Sequence, residues 1–174
     1  MERFERIFFE KRYPLLTGLL RKHKLLLTVF KLLYYGLPII MAAGYIVYVL
    51  HRYRAYGKRT LLKTVGVPAA AYIGISVFRR VFNFKRPYEK FDFEPALGAR
   101  KKGKSMPSRH TFSAGVISAV IASDYPILAP FLWIVTAMVS LTRLLAGVHH
   151  IRDIGVSFVL SIIISIMLKI PVGK

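Results

Sequence analysis

The sequence predicts an all-α integral membrane protein with about five transmembrane helices and an amphipathic helix at its N-terminus. Two observations carry that prediction. Hydrophobic residues make up 55% of the 174-residue chain, and they gather into runs such as Leu32–Leu50 that contain no charge. The formal net charge is nevertheless +19, and the basic residues crowd into the segments between those runs. A soluble single domain of this length has too little interior to hide so much apolar surface. A nucleic-acid binder would account for the charge but not for the runs, so no nucleic-acid partner is expected. A bilayer protein with basic rims and a basic site accounts for both.

Each element follows in order. Residues 1–28 form an amphipathic N-terminal segment. Arg3, Phe4, Ile7 and Phe8, then Pro14 and Leu15 to Leu20 with basic residues between, fit one or two helices lying on the membrane surface. A solvated tail is the alternative, and the apolar core of a signal peptide is missing. Leu32–Leu50 is long enough to span and carries Tyr34, Tyr35, Tyr45 and Tyr48. A basic loop, His51–Lys63, follows. Thr64–Phe78 is a short apolar run whose flanking Lys63 and Arg79 can snorkel. The polar stretch Arg79–Arg109 holds ten Lys or Arg. Thr111–Ser123 is apolar again, Asp124-Tyr125-Pro126 is a turn signal, Ile127–Leu141 is the next span, and Ile154–Leu168 the last, before a short tail ending in Lys174. The short spans imply helices that begin below the membrane surface, around a polar recess. The absence of cysteine rules out disulfides, thiolate catalysis and cysteine-ligated zinc.

Three clusters fall on one side of this topology. Arg79 and Arg86, seven apart before Pro87, would share a helix face if the helix continues, and two guanidinium forks suit phosphate oxygens. Juxtamembrane arginines also commonly meet lipid headgroups. Pro107-Ser108-Arg109-His110 precedes an apolar helix. Exposed N–H groups at such a start bind anions, Ser108 adds a hydroxyl, and His110 a titratable proton; a plain helix cap is the alternative. Thr142-Arg143 is followed by His149 and then, four residues on, by Asp153. That spacing puts His149 and Asp153 on one helical face, where the carboxylate can hold one imidazole nitrogen and aim the other. Arg143 would sit on the wrong face of one continuous helix, but Gly147 can break the helix between them. Ionisable groups at such depth default to function. A metal site at His149, His150 and Asp153 would lack the rest of its ligands and would face arginines, so neither metal nor cofactor is expected.

In this order and spacing the clusters resemble the type 2 phosphatidic acid phosphatase family, which shares its site with vanadium haloperoxidases. The family pattern is Lys-x6-Arg-Pro, Pro-Ser-Gly-His and Ser-Arg-x5-His-x3-Asp. This chain reads Arg79-x6-Arg86-Pro87, Pro107-Ser108-Arg109-His110 and Thr142-Arg143-x5-His149-x3-Asp153. Arg79 stands for lysine, Arg109 for glycine and Thr142 for serine; none removes a required group, and Arg109 either adds a bulky cation at the mouth of the site or points to solvent. The resemblance implies a compact helical bundle of the bacterial type. It also implies catalysis by His149 as nucleophile through a phosphohistidine, with Asp153 holding it and His110 as acid and then base. Arg79, Arg86, Ser108, Arg143 and the added Arg109 would hold phosphate, without metal. The expected substrate is a lipid phosphate: a polyprenyl diphosphate such as undecaprenyl diphosphate, phosphatidate or phosphatidylglycerol phosphate. Membrane lipids are the expected surroundings, and no protein partner is identified.

The family usually works on the extracytoplasmic face, and the resemblance makes that face of the cell membrane the expected one here. Five spans put both catalytic loops and the N-terminus on one side, and the His51–Lys63 loop and C-terminus on the other. The Lys and Arg count of short loops favours a cytoplasmic site, whereas family habit and the basic His51–Lys63 loop favour an extracytoplasmic one. The rival readings are a non-catalytic binder of anionic lipid, a vanadate-dependent haloperoxidase-like enzyme and a small transporter.

Overall fold

A computed structural model describes residues 2–91, 93–97 and 101–168; the tail ending in Lys174 lies outside the described residues. Every regular element among them is helical. The order is α1 (Glu2–Ile7), a π-helical turn (Phe8–Arg12), α2 (Tyr13–Lys22), α3 (Lys24–Tyr56), α4 (Val67–Phe82), α5 (Pro87–Lys90), α6 (Arg109–Asp124), α7 (Ala129–Leu145) and α8 (Ile151–Met167).

The predicted span Leu32–Leu50 is the middle of α3, whose 33 residues run about 50 Å at 1.5 Å per residue. Pro68 falls in the first turn of α4 and Pro130 in that of α7, where a missing N–H costs nothing. Asn83 ends α4 in the left-handed region, at φ 41°. Among the described residues three stretches are long and apolar enough to cross a membrane: Lys24–Thr60, Leu62–Lys90 (interrupted at 83–86) and Pro126–Leu145. The other two long helices, α6 and α8, have 16 and 17 residues, about 25 Å each, so length alone does not qualify them as spans.

The central helix is α6, which packs against α3, α4, α7 and α8 and buries ten of its residues. The distribution of polarity is the reverse of a soluble bundle. Leu25, Ile39, Val47, Ile73, Phe131 and Ile166 are exposed, while Ser118, Thr136, Ser157 and Ser161 are fully buried. Those hydroxyls join helices, as expected where lipid supplies no hydrophobic drive between them. Ser118 Oγ lies 2.8 Å from Thr136 Oγ1 and donates to Leu132 O at 3.1 Å. Ser157 Oγ donates to Ser108 O at 3.1 Å, and Ser161 Oγ to Phe112 O at 3.3 Å. Gly115 lets α6 and α8 approach this closely: a Cβ there would collide with Ser161 Oγ and meet Ser161 Cβ at 2.5 Å.

At the end away from the catalytic motifs, the predicted turn at Asp124 is also a tie. Asp124 pairs with Lys63 Nζ at 2.5 Å and Arg52 Nε at 3.1 Å, and accepts from Tyr48 OH at 2.7 Å. The N-terminal segment differs from the expectation of an element resting on lipid alone. Phe4, Leu15 and Leu19 are exposed, but Phe9 and Tyr13 are fully buried against Phe93, with Phe9 also stacked on Phe91. Aromatic residues on a second face of the segment, which a simple amphipathic pattern does not distinguish, dock it on the protein.

Replacing Gly115 by alanine should separate α6 from α8 and destabilise the fold by about 1–3 kcal/mol, the usual cost of overpacking, with Ser161→Gly recovering part of the loss. Thermal unfolding in detergent checks this; an unchanged midpoint for Gly115→Ala would refute the close approach.

Candidate active site

The site is built on the connection between α7 and α8. Beyond Leu145 the chain leaves the helix through Gly147, at φ +71°, and Gly147 N donates to Leu144 O at 2.9 Å. A side chain there would strike Tyr13 OH at 2.5 Å and Phe93 Cε2 at 2.7 Å, so both backbone and space demand glycine. The break separates Arg143 on α7 from His149, as the sequence implies.

His149 and Asp153 do meet, though not on one helical face. His150 is the N-cap of α8 and Asp153 its third residue. The Asp153 carboxylate folds back to accept His150 N–H at 3.0 Å and faces His149 Nδ1 at 3.4 Å with the same oxygen, Oδ2. Ser105 Oγ donates to that oxygen too. The pair therefore forms through an N-terminal capping turn, with His149 held just ahead of the helix.

The two arginines of the first cluster also converge without a shared helix. The α4 helix stops at Phe82, and Arg86 is extended, as the residue before a proline should be. Arg79 Nη1 donates to Ser105 O at 2.7 Å and to Pro107 O. Arg86 Nε donates to Gly103 O, and Nη1 to Val148 O, each at 3.0 Å. Each guanidinium has five N–H donors, so about three remain for an anion. Glu89 Oε2 accepts Arg86 N at 2.7 Å and Gly103 N at 2.8 Å, which closes the loop on itself.

The Pro107–His110 turn opens α6 as expected, but Pro107 precedes the N-cap rather than occupying the first helical turn. Ser108 N donates to Asp153 O at 3.2 Å, which ties the starts of α6 and α8 together. The Ser108 hydroxyl is buried and has no hydrogen-bond partner among the described residues, an unusual state for a buried polar group. Thr142 turns its hydroxyl back onto Val139 O at 2.6 Å, a bond that its own helix absorbs. Arg143 stacks 3.7 Å over the Tyr34 ring and donates through Nη2 to Tyr34 O at 2.5 Å, so α3 orients it.

Beside these residues lies a cleft of about 420 Å³, which Ser108, Thr142 and Asp153 do not line. Arg79, Arg86, Lys101, Arg109 and Arg143 line it together with His110 and His149. No carboxylate lines it among the described residues; Asp153 lies beneath, fully buried. Arg109 lines the cleft and is exposed, with Nη1 3.4 Å from Tyr72 OH. Past Arg109 and His110 the cleft continues into an apolar groove of about 280 Å³ along Met41, Ala42 and Ala114. A further groove of about 320 Å³, reached past Tyr72 and Ile117, extends it. Among the described residues no group of three or more His, Cys, Asp or Glu side chains is placed to hold a metal ion.

Burial is the main influence on His149 and lowers its pKa to about 4, the hydrogen bond and charge of Asp153 opposing it and the charges of Arg86 and Arg79 adding to it. The imidazole is thus neutral at physiological pH. With Nδ1–H donating to Asp153, Nε2 is left with a lone pair. Sequence reasoning missed Ser105, Tyr34 and Lys101, which lie outside the motif spacings, and Glu5, whose carboxylate meets His150 Nδ1.

A family model described as the PAP2 superfamily matches residues 60–172. The fold is similar to the crystal structure of LpxE from Aquifex aeolicus (TM-score 0.57, 20% identity, covering 82% of this chain and 93% of that one). A likeness of TM-score 0.47 and 14% identity, covering 95% and 94% of the two chains, relates it to a PAP2 type phosphatidylglycerolphosphate phosphatase from Bacillus subtilis. No curated protein matches the sequence.

Followed by side-chain NMR, His149 should remain neutral down to about pH 5 and protonate near about 4. Because Asp153 raises that pKa, Asp153→Ala should push it lower still. An unshifted titration near 6.5 would contradict the buried pair.

Proposed function

The chain belongs to the PAP2 superfamily, and on that premise we propose that it is a membrane lipid phosphate phosphatase with His149 as its nucleophile. The observation that carries the proposal is the neutral His149, backed by Asp153 and set in a cleft of five cations. In the first step His149 Nε2 attacks phosphorus. A P–N bond forms and the P–O bond to the lipid breaks. Desolvation and then the Arg143 charge lower the His110 pKa to about 3, so His110 takes up a proton from solvent only with the phosphate anion beside it, and gives that proton to the departing oxygen. In the second step His110 takes a proton from water, whose oxygen bonds to phosphorus as the P–N bond breaks. Inorganic phosphate leaves and both histidines return to their starting states.

Phosphoryl transfer asks chiefly for positioning and for charge stabilisation around three equatorial oxygens. Arg79, Arg86 and Arg143, each already anchored by a backbone carbonyl, supply fixed donors for that charge, and no metal is invoked. The buried, unpartnered Ser108 hydroxyl is assigned to the same phosphoryl group. Arg109 is assigned to the phosphate at the mouth, beside the entry to the apolar groove. That groove supports an amphiphile: a polar head meets the cations while its hydrocarbon follows α6. A polyprenyl diphosphate such as undecaprenyl diphosphate is the first candidate, ahead of phosphatidate and phosphatidylglycerol phosphate. The cell membrane, with the site on its extracytoplasmic face, is the assigned location.

Purified protein should release phosphate from one of these lipids in excess EDTA, with inhibition by vanadate, which imitates five-coordinate phosphorus. His149→Ala should abolish release, and His110→Ala should slow it by roughly 10²–10⁴-fold. Loss of activity in EDTA with recovery on adding magnesium would sink the metal-free mechanism. Equal release by His149→Ala would sink the nucleophile and favour a lipid-binding role.

Sidedness can be read separately, because the chain has no cysteine. With an impermeant maleimide on intact cells, Glu10→Cys should label and Lys58→Cys should label only after lysis. The opposite pattern would place the site in the cytoplasm.

A further inference from the structure

The N-terminal segment lies outside the residues matched by the family model, yet it touches the catalytic turn at three points. Tyr13 is fully buried, fills the space beside Gly147 and accepts a hydrogen bond from Ala96 N at 3.0 Å. The Phe9 ring meets the His150 ring edge-on at 6.3 Å between centroids, and Phe91 meets it similarly at 6.1 Å. Glu5 Oε2 lies 2.9 Å from His150 Nδ1, a contact between residues 145 apart in sequence. Both partners are removed from water, at 4% and 1% exposure.

Such a pair is a poor source of stability, since desolvating two polar groups costs about what their attraction returns. Its cost is better explained by what it orients. His150 N–H donates to Asp153 Oδ2, the oxygen that faces His149 Nδ1. A shift of His150 would therefore move the donor that fixes the carboxylate behind the nucleophile. We propose that the segment Glu2–Lys22 is a strap over the catalytic turn and that Glu5 is a positioning residue, acting through His150 on the His149–Asp153 pair. The role rests on the phosphatase reading for its catalytic consequence, but the restraint on the turn does not.

The test compares wild type, Glu5→Ala, Glu5→Gln and, as a control, Glu10→Ala, which alters an exposed residue of the same segment. Two quantities are read in detergent. The first is amide hydrogen exchange across residues 146–153. Glu5→Ala should speed it, whereas Glu5→Gln, which can still accept a hydrogen bond, and Glu10→Ala should not. The second is steady-state phosphate release. Glu5→Ala should lower kcat about ten-fold or more, as misplacement of a reacting group does, with KM within about two-fold, and Glu5→Gln should recover most of the loss. Unchanged exchange in Glu5→Ala would overturn the strap. Faster exchange with unchanged kcat, or with KM rising in place of a fall in kcat, would overturn the positioning role. If Glu5→Ala does not fold, Glu5→Gln decides: wild-type exchange and near-wild-type kcat support the pair as a hydrogen bond, and a large loss of kcat without faster exchange refutes it. If the wild type itself releases no phosphate, the phosphatase reading falls, and the exchange data still decide whether the strap exists.

Discussion

A carboxylate with no access to water is tolerable only where donors surround it. Asp153 meets that condition at one oxygen, Oδ2, which receives Ser105 Oγ, His150 N–H and His149 Nδ1; Oδ1 has no hydrogen bond among the described residues, only the Arg152 charge 3.8 Å away. The consequences run outward. Ser105 belongs to the loop that Arg79 grips by its carbonyl. His150 begins α8 and is held by Glu5 from the far end of the chain. The Asp153 carbonyl receives Ser108 N–H, which binds the start of α6 to α8. The long loop, the helix starts and the N-terminal segment thus converge on one buried anion. His149, the proposed nucleophile, gains its fixed tautomer from a group that the fold must stabilise in any case.

The bundle keeps this arrangement in place by reversing the usual distribution of polarity. Its lipid-facing surface is aliphatic, so helix association depends on close approach and on hydrogen bonds between helices. Ser118, Thr136, Ser157, Ser161 and Gly115 supply both around α6. His110 stands at the start of that same helix. Packing in the interior therefore fixes where His110, the proposed acid–base group, meets the cleft, and the grooves that extend from the cleft run along α6 for the same reason.

Much of this was legible in the sequence because hydrophobic runs, Pro and Gly act locally. The five long helices fall where uncharged runs predict them, and the helix break at Gly147 follows from the need to bring Arg143 and His149 together. The local geometry was less legible. The seven-residue spacing of Arg79 and Arg86 fits a continuous helix equally well, yet Asn83 and the pre-proline Arg86 end it. The four-residue spacing of His149 and Asp153 fits a helical face, yet a capping turn uses it. Spacing names the partners, and the turn between them decides how they meet. Glu5, Ser105 and Tyr34 leave no signal, because their roles depend on contacts across the fold that no local pattern encodes.

Five cations around one cleft without a carboxylate among its lining residues repel one another, and a sequence selected for stability alone would have paired them. Four of the charges belong to residues with anchors: Arg79 and Arg86 on loop carbonyls, Arg143 on Tyr34, and Arg109 within reach of Tyr72 OH. Anchoring fixes the guanidinium positions without neutralising them, since a carbonyl or a ring face leaves the full charge in place. A carboxylate partner would hold them as firmly and would cancel the field. The choice of neutral anchors keeps the site positive until an anion arrives, at some expense to the empty fold. The Asp124 cluster at the opposite end makes the contrast within the same chain: Lys63 and Arg52 there are held by a carboxylate, which spends their charge on structure. The two ends use the same residue types for opposite purposes, and the chemistry of their anchors tells them apart.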